Sequence, residues 1–81
     1  MKRDSCFIIE NDANSVLTVY VEPESALVEL TNNEKLVVTS LNCESPVTLR
    51  LSRDAKGHIV LCIWPGDGDT RVEKDGNDVL G

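Results

Sequence analysis

Few side chains in this sequence belong to types that carry covalent chemistry. His58 is the single histidine, and Cys6, Cys43 and Cys62 are the three thiols. Nucleophilic catalysis needs a nucleophile beside a base that a third group orients. Cys43 with His58 is the one Cys–His pairing open for catalysis, and nothing in their spacing joins them. There is no Cys-x-x-Cys motif, and one histidine with scattered cysteines supplies too few donors for a transition-metal centre. The expectation is a non-enzymatic protein without a cofactor.

Carboxylates offer a second chemistry. Gly66-Asp67-Gly68-Asp69 resembles the start of an oxygen-rich calcium loop, and Asp75, Asn77 and Asp78 add oxygens further on. The bidentate Glu that closes an EF-hand loop is missing. Asp67, Asp69, Asp75 and Asp78 therefore stand as calcium candidates beside the plainer reading, which is that solvated turns use the same residues for backbone reasons. Gly66 and Gly68 form no phosphate loop, because no helix follows them. Glu22-Pro23-Glu24 is the most compact acidic pair, and a rigid loop at a strand end explains it equally well.

Aromatic side chains are scarce, which makes their placement informative. Tyr20 shares a strand face with Val16 and Thr18, and Trp64 shares one with Val60 and Cys62. Both faces lie opposite those assigned to the core. Together with Glu22 and Glu24, Tyr20 and Trp64 are the candidate binding residues, since aromatics anchor partners and sugars. Homodimerisation through that face is an alternative that would enlarge a thin core.

These residues must be positioned by strands. Short apolar runs rich in Val, Leu and Ile recur every ten to twelve residues, each bounded by turn residues. The pattern predicts strands at 6–10, 16–22, 26–31, 34–41, 47–52, 58–64, 70–74 and 79–80. Residues 24–30 also fit a short helix, although Val28 and the Asn32-Asn33 turn favour strand. That turn predicts a hairpin between the third and fourth strands, and Asp75-Gly76 predicts a type I′ terminal hairpin. Val47, Leu49 and Leu51 are expected to face inward, opposite Thr48, Arg50 and Ser52. Residues 58–64 are apolar on both parities and suggest a central strand. The fold expected is all-β: a small antiparallel β-sandwich of seven or eight short strands in one domain over 1–81.

Composition narrows the function classes. The 81-residue chain carries fourteen acids and eight bases, a formal charge of −6, which disfavours nucleic acid and anionic membrane surfaces. Seven acids and no Lys or Arg lie between Asp4 and Glu34, whereas Arg50, Arg53 and Lys56 cluster later. The basic start is followed by an apolar stretch of only 6–9, too short for a secretory signal, and no run approaches the roughly 18 residues of a membrane span. Cys6 and Cys62 read as small hydrophobes in strands, and Cys43 as a thiol in a polar loop. Free thiols and the missing signal point to the cytoplasm.

The run Ser15-Val16-Leu17-Thr18-Val19-Tyr20-Val21-Glu22-Pro23-Glu24 resembles an opening found in short uncharacterised bacterial β-proteins. In those, an Asn-rich turn leads into a strand ending in Glu-Pro, and a later strand ends near a Trp. Ile63-Trp64-Pro65-Gly66-Asp67 and Val72-Glu73-Lys74-Asp75-Gly76 are the later counterparts. The resemblance implies a small bacterial β-protein and brings no activity. The function expected is a protein-interaction module, in one version an acidic inhibitor or immunity-type protein; the alternative is a module that binds sugar or calcium.

Overall fold

The computed structural model describes residues 2–79, and these are built from strands alone. The strands are β1 (Arg3–Glu10), β2 (Leu17–Val21), β3 (Ala26–Leu30), β4 (Lys35–Cys43), β5 (Thr48–Arg53), β6 (Ile59–Trp64), β7 (Asp69–Lys74) and β8 (Asn77–Asp78). They form two four-stranded sheets, ordered β1-β4-β7-β8 and β3-β2-β6-β5. Residues 26–30, the segment with a helical alternative, are strand, as their β-branched and alternating pattern favours.

One buried cluster draws on both sheets: Val19, Val21, Val28, Leu30, Leu61 and Ile63 from one, and Leu36, Val38 and Val72 from the other. Each fully buried Val or Leu contributes about 1.5–3 kcal/mol, so this cluster is the main favourable term.

Two pairings depart from the sequence reading. The third and fourth strands are not a hairpin. The Asn32-Asn33 turn does form, with Asn33 at φ 68°, but it carries the chain from one sheet to the other. Val28 and Leu30 then meet Leu36 and Val38 through their buried faces rather than across a ladder. The sheets are also not wholly antiparallel, since β2 pairs with β6 in parallel, Val19 opposite Leu61 and Val21 opposite Ile63. Hairpin loops impose antiparallel pairing only on sequence neighbours, and the path from β2 to β6 runs through three other strands.

The terminal hairpin turns at Asp75 (φ 53°) and Gly76 (φ 79°), the positive pair a type I′ turn requires. That two-residue turn sets Asn77 directly opposite Lys74, so β8 is 77–78 and not 79–80. Val79 follows it and packs on the core, and Leu80 lies outside the described residues.

Cys43 is a further correction. Leu41 and Asn42 of β4 together oppose Asp4 of β1, because the register passes from Ser5↔Ser40 to Arg3↔Cys43. Asn42 adopts φ 56°, and its N–H donates to Asp4 Oδ1 at 2.9 Å. The extra residue reverses the in–out alternation and turns Cys43 into the interior, beside Ser40 Oγ at 2.6 Å. Cys6, by contrast, is exposed beside Thr39 rather than packed like a small hydrophobe.

The chain changes sheet four times, through loops 11–16, 31–34, 44–47 and 65–68. Loop backbone inside a thin protein must find hydrogen-bond partners. The first two crossings meet at Asn11, a buried polar residue. Its Nδ2 donates to the Leu30 carbonyl at 2.7 Å and the Ser15 carbonyl at 2.8 Å, and its Oδ1 accepts from the Ala13 N–H. Its backbone N–H donates to the Glu34 carbonyl, and its carbonyl accepts from the Asn33 N–H.

At the opposite end of β4, Asp67 joins the other two crossings. Its Oδ1 accepts from the N–H groups of Glu44 and Ser45 at 2.8 and 3.1 Å. Gly66 and Gly68 let these loops approach, since a Cβ on either would overlap the carbonyl oxygen of Ser45 or Leu41.

Replacing Asn11 by Ala leaves two carbonyls unpaired, each worth about 1–3 kcal/mol. Asn11→Ala is therefore expected to lower unfolding stability by about 2–6 kcal/mol in denaturant titration. Asn11→Asp, which turns a carboxylate toward those carbonyls, should destabilise more. A variant as stable as the parent would dismiss Asn11 as the tie.

Candidate functional site

The residues that could do chemistry do not converge. Cys43 ends β4, buried, with the Gly68 N–H donating to its Sγ at 3.3 Å. His58 lies in the β5–β6 loop, exposed, its Nδ1 3.6 Å from Asp54 Oδ2. Cys43 belongs to the Trp64 end of β6 and His58 to the Ile59 end, and five residue rises span roughly 17 Å.

The calcium candidates are split in the same way. Asp67 is engaged by the Glu44 and Ser45 amides, and Asp69 lies 3.9 Å from Arg71 Nε. Asp75 and Asp78 belong to the far end of β7, in the terminal hairpin. Among the described residues, no group of three or more His, Cys, Asp or Glu is placed to hold a metal ion.

Tyr20 and Trp64 lie on one face of the second sheet, away from the core. Tyr20 pairs with Cys62, two residues from Trp64, while Val21 and Ile63 point into the cluster. Leu27 pairs with Tyr20 from the β3 side and extends the face. Tyr20 is half-buried and Trp64 is 42% exposed. Glu22 accepts from Ser25 Oγ at 3.1 Å in loop 22–25, and Glu24 is exposed in that loop. The acids of the first third are divided between the two sheets, and several are occupied: Glu10 by Lys35 at 3.8 Å, Glu34 by Lys74 at 3.4 Å, Asp4 by the Asn42 amide.

Among the longer edge strands, β5 is the one exposed at every residue. A sheet edge is a row of unpaired N–H and C=O groups that proteins usually blunt. β1 meets the bulge of β4 only at its Arg3 end and runs in unbroken register from Ser5↔Ser40 to Glu10↔Lys35, and β8 has only two residues. β3 has five, and Lys74 Nζ donates to its Glu29 carbonyl at 3.0 Å, so the neighbouring sheet covers that edge. β5 runs six residues in unbroken register, Thr48↔Trp64 to Arg53↔Ile59, and all six are exposed.

Burial along β5 overturns the expectation from alternation. Leu49 and Leu51 do share a face with the core residues Ile63 and Leu61, which they oppose. They are nevertheless 47% and 72% exposed, because the other sheet does not reach over β5. Val47 alone of that trio packs against the core. Ile59, at the head of β6, is 52% exposed, so the strand expected to be covered is open at both ends. Leu49, Leu51 and Ile59 form an apolar shelf beside an unpaired edge. At the Thr48 end the edge opens onto a cleft of about 680 Å³, lined by Arg3, Asp4 and Phe7 of β1 and by Glu44, Pro46 and Val47.

The edge is basic in an acidic protein. Arg50 projects from the opposite face, pairs with Cys62 across the ladder, and forms no ion pair among the described residues. Arg53 Nη1 donates to the Gly57 carbonyl at 3.0 Å, and Lys56 lies in the adjoining loop. Asp54 is occupied locally: its Oδ1 accepts from the His58 and Lys56 amides, both at 2.9 Å. Sequence reasoning missed the shelf, because alternation reports which face a residue takes and not what covers it.

Compared with protein families, curated proteins and solved structures, the chain matches none. Its class is therefore given by its own geometry: among the described residues, strands alone in two four-stranded sheets, with β5 exposed along one edge. Among the described residues no helix is long and apolar enough to cross a membrane.

Three carboxylates hold the loops, and their hydrogen bonds depress their pKa values. Asp67 is lowered chiefly by the Ser45 amide, then by the Glu44 amide. Glu34 is lowered chiefly by the Thr31 amide, with the Thr31 hydroxyl and Lys74 adding to it. Asp54 is lowered chiefly by the His58 amide. A depressed folded-state value contributes stability that is present above the unfolded value, 3.8 for Asp and 4.5 for Glu, and lost as pH falls through the folded value. Thermal unfolding should therefore be insensitive to these groups near neutrality and shift downward below about pH 4. Asp67→Ala should lower the midpoint near neutral pH by a few degrees and converge with the parent in strong acid. A constant gap at every pH would contradict this linkage.

Proposed function

We propose that this chain is a small β-sandwich that works as a non-enzymatic protein-interaction module and engages its partner through β5. The observation that carries the reading is the full exposure of a regular six-residue edge strand next to Leu49, Leu51 and Ile59. A solvated apolar shelf has no use in a thin domain unless something covers it, and an unblunted edge offers main-chain pairing at the same place. Three cysteines without a disulfide suit work in the cytoplasm. An inhibitor or immunity-type role remains one form of this reading, with the shelf rather than the dispersed acids as the contact.

The Tyr20/Trp64 face supports a second reading, because Trp64 is 42% exposed on the far side of the same sheet. The two are separable by mutation. Leu51→Lys puts a charge on the shelf and, at a site already open to water, should leave the unfolding midpoint within a degree or two. In affinity capture from native lysate, the parent should retain a specific partner that Leu51→Lys loses and Trp64→Ser keeps. If Trp64→Ser loses the partner and Leu51→Lys does not, the outer face is the site and the β5 reading fails.

A further inference from the structure

The same strand specifies the chemistry of what it takes. Resting on the reading above, we propose that β5 accepts an extended acidic segment of a partner protein, apolar and acidic residues alternating, added antiparallel as a fifth strand of its sheet.

Three observations lead to this occupant. The first is the pattern of β5. Leu49 and Leu51 lie on one face and Arg50, between them, on the other. Directly opposed side chains in a ladder interact in pairs, so the incoming strand needs apolar residues opposite Leu49 and Leu51 and an acid opposite Arg50. Arg53, on the shelf side at the far end, favours a second acid. Written from the Arg53 end, the complementary segment reads acid, polar, apolar, acid, apolar, polar.

The second observation is the charge of the edge against that of the molecule. The chain carries −6 overall, yet 48–58 hold Arg50, Arg53 and Lys56 against Asp54 alone. Asp54 is already occupied by its own loop. Among the described residues Arg50 forms no ion pair. An acidic strand therefore meets free positive charge at β5 and repulsion over most of the remaining surface, which selects the edge.

The third observation is the space around the strand. Lys74 of β7 bridges to β3 and closes one side of the molecule. On the other side β1 and the entry to β5 stand apart around the cleft that contains Phe7 and Val47. A strand added to β5 would cover Leu49 and Leu51. Running antiparallel, it would bring its next residue past Thr48 to this cleft, where Phe7, Pro46 and Val47 offer an apolar seat; Arg3, Asp4 and Glu44 at its rim bring no net positive charge, so the residue that enters is apolar.

A second copy of the chain fits less well. Two antiparallel β5 strands in the register that stacks Leu49 on Leu51 place Arg50 directly opposite Arg50. Like charges in that position oppose pairing.

The test titrates the full chain with two capped, dye-labelled peptides, Glu-Thr-Val-Glu-Val-Thr-Leu and its counterpart with Lys for both Glu, read by anisotropy at low and physiological salt. The acidic peptide should bind at least about tenfold tighter than the basic one, a gap of about 1.4 kcal/mol, and should weaken with salt. Arg50→Glu should invert the preference, and Leu51→Lys should weaken the acidic peptide by about tenfold or more while the unfolding midpoint holds. Equal binding of the two peptides, or a basic preference in the parent, overturns the proposal. So does a stable dimer in light scattering that Leu51→Lys dissolves, because a second copy would then own the edge. If neither peptide binds while Leu51→Lys still abolishes partner capture, the acidic-strand inference falls and the interaction-module reading stands. If capture is also indifferent to Leu51→Lys, both fall.

Discussion

Asn11 is the constraint on which the rest of the structure leans. A chain of this length that crosses between two sheets four times exposes backbone polar groups where the protein is too thin to bury them unpaired. One carboxamide resolves two crossings at once, donating to Leu30 and Ser15 and accepting from Ala13. With the ends of β1, β3 and β4 gathered there, Leu30 and Leu36 are held in one cluster although their strands never pair. Asp67 does the same for the opposite end, where Gly66 and Gly68 remove the side chains that would keep the loops apart.

The open edge follows from how these ties are distributed. Lys74 bridges β7 to the Glu29 carbonyl and seals the β3 side. On the β1 side Asp4 spends its carboxylate on the Asn42 amide within its own sheet, and the β1–β5 margin stays apart around the Phe7 cleft. With β5 beyond the cover of the first sheet, Leu49, Leu51 and Ile59 keep core-like identities in water. A domain this small commits most of its large apolar residues to its single core. Three of them left on one margin, beside regular unpaired backbone, place the functional question there.

Much of the local structure was legible in the sequence. Alternation in Val47–Leu51 and the apolar run before Trp64 located β5 and β6, which pair antiparallel as sequence neighbours. Asn33 and Asp75-Gly76 adopt the positive φ angles their residue types suggest. Period-two counting turns Tyr20 and Trp64 away from the core within their own strands, and the β2–β6 pairing makes those sides one face. What escaped was non-local. The parallel β2–β6 pairing and the parting of β3 from β4 depend on where distant strands lie, which no window of neighbouring residues encodes. Cys43 became buried because one extra residue at Asn42 shifted the alternation. Leu51 was assigned to the interior because a leucine on the core-side face looks the same whether or not a second sheet reaches it. Asn11 hid among the asparagines of an ordinary turn.

Native-state hydrogen exchange followed by amide NMR tests the central claim most directly, since it compares all the sheet edges in the free protein. An open β5 margin requires every second amide of Thr48–Arg53 to exchange rapidly. Those of β2, β4 and β6 should be slow, and the β3 edge beneath Lys74 intermediate. Uniform protection of β5 at the level of β6 would mean that the edge is already covered and would contradict the account.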